Sequence, residues 1–65
     1  MKNLKTVREA KGVTKTAVAD HIGVTLKTYS KYEKNPEYIK IDTARKIADF
    51  LNIEVSDIFF IGNSK

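Results

Sequence analysis

Apolar positions along the chain recur every three or four residues and nowhere alternate with polar ones, so the pattern predicts helices and no strands. Leu4, Val7 and Lys11 stand at helical spacing, with Asn3 as a possible N-cap and Gly12 as a stop. In "VTKTAVADHIG" Thr14 can cap a second helix. Val18 and Ile22 share a face there, Ala17 and Ala19 favour helix, and Gly23 stands at the C-terminal stop. The capping box is incomplete, because Ala17 occupies the place of Glu or Gln. After the corner at Val24, Thr25 can cap a third helix from Leu26 to about Lys34. "NPEYIK" reads as a loop ending at Lys40 or Ile41. "IDTARKIADFL" then sets Ile41, Ala44, Ile47, Ala48 and Leu51 on one face, with Asp42 in the first turn and Asn52 as the stop. "EVSDIFF" allows one or two further turns, ahead of a polar tail at 62–65. Five short helices without strands predict one all-α domain over residues 1–65.

On the wheel of the third helix, Tyr29 points inward, and Leu26, Tyr32 and Glu33 share the inward half. Lys27, Lys31 and Lys34 cluster on the opposite side, with Thr28 and Ser30 on the flanks. A lysine face is ordinarily a solvated face. Here, however, Lys27 and Lys31 form a like-charge pair four residues apart, which costs stability unless an anion meets it. Glu33 near the inward side needs a partner, and Arg8 on the first helix leans beside the Leu4 stripe. An Arg8–Glu33 ion pair is therefore expected to join the first and third helices, the alternative being two independent surface charges.

Charge sharpens this picture. The 65 residues carry +4 overall, but residues 1–34 hold eight Lys/Arg against three acids, +5, whereas 35–65 hold four against five, −1. The basic half seeks a polyanion, nucleic acid ahead of a membrane surface. Cysteine is absent and no apolar run suggests a signal peptide or a bilayer span, so a reducing cytoplasm is the expected compartment. His21, the single histidine, has no cysteine or carboxylate pair at ligand spacing, so it is expected as an exposed residue of the second helix and no metal site is expected. Neither a nucleophile motif nor a phosphate-binding glycine loop is present, and an enzyme is not expected. Ile58, Phe59, Phe60 and Ile61 exceed what one short helix buries. They are either spare core or, as favoured, a homodimer contact.

Two stretches, "LKTVREAKGVTKTAVADHIGVTLKTYSKYEKN" and "IDTARKIADFLNIEVSDIF", resemble the helix-turn-helix of the phage repressor and Cro type, the xenobiotic-response-element family. The ordered series Arg8, Gly12, Thr14, Ala19, Gly23-Val24-Thr25, Glu33 and Lys46-Ile47-Ala48 carries the likeness. The resemblance implies a five-helix, lambda-repressor-like domain whose motif spans about residues 15–34, with the third helix in the DNA major groove. Carried over by position, base contacts fall on Thr25, Leu26, Lys27, Thr28 and Lys31, with Leu26 equally able to finish the core edge. Phosphate contacts fall on Thr14, Lys15 and Thr16, then on Lys34, Asn35, Tyr38 and Lys40. Three positions depart from the family pattern. Lys15 replaces a usual Gln, Asn35 replaces a usual Gly while still tolerating a left-handed backbone, and Pro36 stands earlier than the customary loop proline. The implied function is a sequence-specific, double-stranded DNA-binding repressor, a homodimer on a (pseudo)palindromic operator, with no cofactor and no small-molecule ligand evident. An antitoxin, a restriction-modification controller, or a protein-interaction module that has lost DNA binding remain open alternatives.

Overall fold

The computed structural model describes residues 3–59. Five α-helices follow one another: α1 (Leu4–Ala10), α2 (Lys15–Ile22), α3 (Leu26–Lys34), α4 (Ile41–Leu51) and α5 (Val55–Phe59), and the described residues contain no strand. None of these helices is long and apolar enough to cross a membrane.

Side-chain caps start the first three helices. Asn3 Oδ1 accepts from Thr6 N at 2.8 Å, Thr14 Oγ1 from Ala17 N at 3.1 Å, and Thr25 Oγ1 from Thr28 N at 3.1 Å. Each bond satisfies one backbone donor that a helix start leaves without an intrahelical partner. Gly23 ends α2 in the left-handed region, φ 80°, and both its own N–H and that of Val24 return to Ala19 O, at 2.9 and 3.0 Å. That closure reverses the chain and sends Val24 against the core. Asn52, φ 58°, ends α4 in the same conformation.

The core is built from Leu4 of α1, Val18, Ala19 and Ile22 of α2, Tyr29 of α3, Ala44, Ile47, Ala48 and Leu51 of α4, and Ile58 of α5, joined by Ile39. The helical stripes supply these residues, with two exceptions. Leu26 and Ile41, both expected on inward faces, are 49% and 53% exposed. Each is the first residue of its helix. Position alone does not decide this, since Leu4, the first residue of α1, is fully buried. Ile39, 5% exposed, contributes the buried side chain that Ile41 does not.

Residues 36–40 are more ordered than the loop the sequence suggests, since Pro36–Tyr38 forms one turn of 3-10 helix. Asn35 is not left-handed: its φ is −135° and ψ 77°. The following Pro36 disfavours compact backbone at the residue before it and drives Asn35 toward extended geometry. His21 is exposed, as expected, yet one face of its ring stacks on Phe50 with centroids 4.3 Å apart. Ile58 is fully buried in the chain's own core, so it has no surface to offer a second copy, while Phe59 packs against that core only in part. Phe60, Ile61 and the 62–65 tail lie outside the described residues.

A methyl group at Gly23 would meet nothing within 4 Å, so a substitution there reports backbone conformation rather than crowding. Gly23→Ala is expected to lower unfolding stability by about 1–2 kcal/mol, and Gly23→Asn by less, in urea denaturation.

Candidate nucleic-acid interface

The geometry of α3 is set by one ion pair beneath it. Arg8 Nε donates to Glu33 Oε2 at 2.6 Å, and Arg8 Nη1 donates to Val13 O at 2.7 Å. Both charged side chains are buried, 7% and 6% exposed, while a second acid, the exposed Glu9, stands 3.8 Å from Arg8 Nη2. Burial opposes the Arg8 charge, but the bond to Glu33 and the Glu33 charge outweigh it and raise the guanidinium above its ordinary range. One guanidinium thereby joins α1, the turn before α2, and α3.

Tyr29 is buried beside this pair. Its hydroxyl has no partner in hydrogen-bond geometry among the described residues. Burial, and the negative charge of Glu33 next to it, push the phenol well above its ordinary pKa. With Tyr29 and Glu33 held inward and Tyr32 packed against the core, Lys27, Lys31 and Lys34 are left facing outward.

Lys27, Lys31 and Lys34 are exposed, and they line one cleft of about 590 Å³ together with Leu26, Ser30 and Asn35. A second cleft, of about 410 Å³, shares Ser30 and Lys34 with the first. It adds Lys5 and Asn3 from the start of α1, Lys15 from α2, Glu33 and Pro36. Among the described residues no carboxylate lies within ion-pair distance of Lys5, Lys15, Lys27, Lys31 or Lys34. Glu33, the acid in the second wall, is already bound by Arg8.

Some of the expected contact residues line these clefts and others do not. Leu26, Lys27, Lys31, Lys34 and Asn35 come together in the first, whereas Lys15 meets Lys34 in the second. Thr14, Thr16, Thr25, Thr28, Tyr38 and Lys40 line neither, although all but the half-buried Thr28 are exposed. Thr14 Oγ1 accepts the backbone bond of its cap, which leaves its hydroxyl hydrogen to donate. Thr25 donates to Thr28 Oγ1 at 3.1 Å, so Thr28 keeps its own hydroxyl hydrogen for an outside acceptor. Leu26, exposed at the mouth of the first cleft, does not finish the core edge.

Lys5 was not among the sequence candidates. No motif marks it, and only the docking of α1 beside the start of α2 and the end of α3 brings it to the second cleft. Its position in the helix is nevertheless a signal. α1, α2 and α3 carry no acid in their first turns. Instead Lys5, Lys15 and Lys27 stand at their first or second positions, against the positive end of the helix dipole. α4 and α5 have Asp42 and Asp57 in the corresponding turns. Cations at the wrong end of three helices cost about 0.3–1 kcal/mol each. An external anion turns that cost into attraction.

This fold and this face define a helix-turn-helix DNA-binding domain. Residues 4–58 match the family model described as Helix-turn-helix, and the chain belongs to that family, the Cro/C1-type regulators that bind DNA. The family is one of DNA-binding domains rather than enzymes. Comparison with curated proteins and with solved structures gave no match.

Two measurements test the buried centre of the site. Arg8→Ala and Glu33→Ala are each expected to cost about 3–5 kcal/mol of stability, because each strands a buried charge. The double variant should lose clearly less than the sum, while additive losses would make the two charges independent. For Tyr29, a phenol raised in the folded state gives stability that is fully present below its unfolded pKa of 10.0 and is lost as pH rises above it. Ultraviolet titration at alkaline pH, followed beside circular dichroism, should show the Tyr29 phenolate appearing only as the chain unfolds.

Proposed function

We propose that the chain is a sequence-specific repressor of transcription that binds double-stranded DNA with α3 in the major groove. The observation that carries this reading is the cationic face itself: Lys5, Lys15 and Lys27 at three helix starts, continuous with Lys31 and Lys34 and without acidic partners among the described residues. A face that only solubilises gains nothing from cations at helix starts, whereas a phosphate backbone gains from each.

In this reading Lys27 and Lys31 donate to guanine O6 and N7, and Leu26 or the Thr25 methyl touches a thymine methyl. Thr28 adds a hydroxyl donor at the same end of α3. The phosphate backbone is held by Thr14, Lys15 and Thr16 on one side and by Lys34, Asn35, Tyr38 and Lys40 on the other, with Lys5 joining Lys15 from α1. Lysine at position 15 holds its phosphate as a point charge without fixing orientation. The domain acts in the cytoplasm as a homodimer on a (pseudo)palindromic operator, the two-fold protein matching the two-fold site. With Ile58 committed to the core, the proposed interface is left to Phe59, Phe60 and Ile61 of the apolar run.

The test is titration of duplex DNA across a range of salt. Affinity should fall by roughly 0.9 log units per log unit of salt for each phosphate neutralised, and Lys15→Ala should lower that slope by roughly one contact. Binding that ignores salt, or no binding at all, would favour a protein-interaction module on the same fold.

A further inference from the structure

Among the lysines of α3, Lys31 is distinguished by where its charge rests: its Nζ lies 4.8 Å from the centre of the Tyr38 ring, within cation–π range. We propose that Tyr38 is a positioning residue, whose ring holds Lys31 in place for base reading, rather than a phosphate contact through its hydroxyl. The inference rests on the DNA-binding reading above and assigns Tyr38 a different part in it.

The backbone fixes the two groups relative to each other. Asn35 N donates to Lys31 O at 2.8 Å, and Tyr38 N donates to Asn35 O at 3.0 Å, so two hydrogen bonds in series run from the lysine to the tyrosine. Pro36 fixes one backbone angle of the intervening turn. Ile39, 5% exposed, pins the following residue in the core, and Tyr38 itself is left 56% exposed. A half-exposed aromatic ring at the edge of the motif is thereby held at a set distance from α3.

The chemistry suits a reader of bases. A lysine side chain has several freely rotating bonds and gives up that freedom when it is ordered against a base edge. The ring takes one side of the ammonium, while its N–H donors remain available to acceptors elsewhere. Lys27, at the other end of the lysine face, has no ring above it among the described residues. Lys31 is thus ordered before DNA arrives, and Lys27 only on binding.

The experiment uses the full chain, a duplex enriched by it from a random-sequence pool, and the variants Tyr38→Phe, Tyr38→Leu and Lys31→Ala. In the free protein, nuclear magnetic resonance should show the Lys31 methylene protons nearest Nζ shifted upfield by the ring in wild type and Tyr38→Phe, and not in Tyr38→Leu. Tyr38→Phe should bind the enriched duplex as wild type does. Tyr38→Leu should bind roughly two- to five-fold more weakly, the worth of one exposed cation–π contact, and should cause no further loss when Lys31 is already alanine. Equal losses in Tyr38→Phe and Tyr38→Leu would overturn the proposal in favour of a hydroxyl-to-phosphate contact. Independent losses in the double variant, no loss in Tyr38→Leu, or tighter binding by it would overturn it as well. A wild-type chain that enriches no duplex would overturn the DNA reading itself, an outcome distinct from all of these.

Discussion

The placement of α3 depends on one buried guanidinium. Leu4 holds α1 to the core, and the buried Tyr29 turns one face of α3 inward, through contacts that have no fixed direction. Arg8 adds a directional constraint, because its fork has fixed directions and two acceptors on different elements: the Glu33 carboxylate and the Val13 carbonyl. A lysine at position 8 would bring the charge without the fork. Once Glu33 is tied inward, the geometry of a helix puts Lys27, Lys31 and Lys34 on the other side. Arg8 thus acts on the interface twice, by orienting α3 and by neutralising the acid that forms part of the wall of the lysine cleft.

That cleft shows where local and global demands part company. Helix starts favour acids, and α4 and α5 follow the rule with Asp42 and Asp57. α1, α2 and α3 break it with Lys5, Lys15 and Lys27. Natural sequences tend to agree with their fold at every level except at functional sites. Here the disagreement is confined to the three helices whose lysines line the two connected clefts, which is where a polyanion would compensate it.

Most of the fold was legible because its signals are local. Thr14, Thr25 and Gly23 fix helix starts and a stop through bonds that span only a few residues. The inward positions of Tyr29 and Glu33 followed from helical periodicity. What the wheel could not supply is where tertiary packing ends: it treats every turn alike, so Leu26 and Ile41 looked inward although both are exposed, whereas Leu4, also first in its helix, is buried. Asn35 does not use the left-handed freedom that its type allows. Its own tolerance of a left-handed backbone mattered less than its neighbour Pro36, which steered it to extended geometry. Ile39 and Lys5 were invisible for a different reason. Their roles arise from tertiary docking, and no spacing within the chain announces either one.

The exposed Leu26 ties these strands together. Half-exposed at the start of α3, Leu26 contributes little to the core, and among lysines it is an apolar residue in a cationic cleft. Solvation alone gives no reason for it, since a polar residue there would be no worse for the fold. A major groove does give one: base edges present thymine methyl groups between hydrogen-bonding atoms, so a surface that reads them needs apolar contact interleaved with donors. Leu26 beside Lys27, with Lys31 one turn further on, has that alternation. On the proposed reading, the exposure that keeps Leu26 out of the core is what would offer it to the groove, and the capping bond of Thr25 fixes where α3 starts.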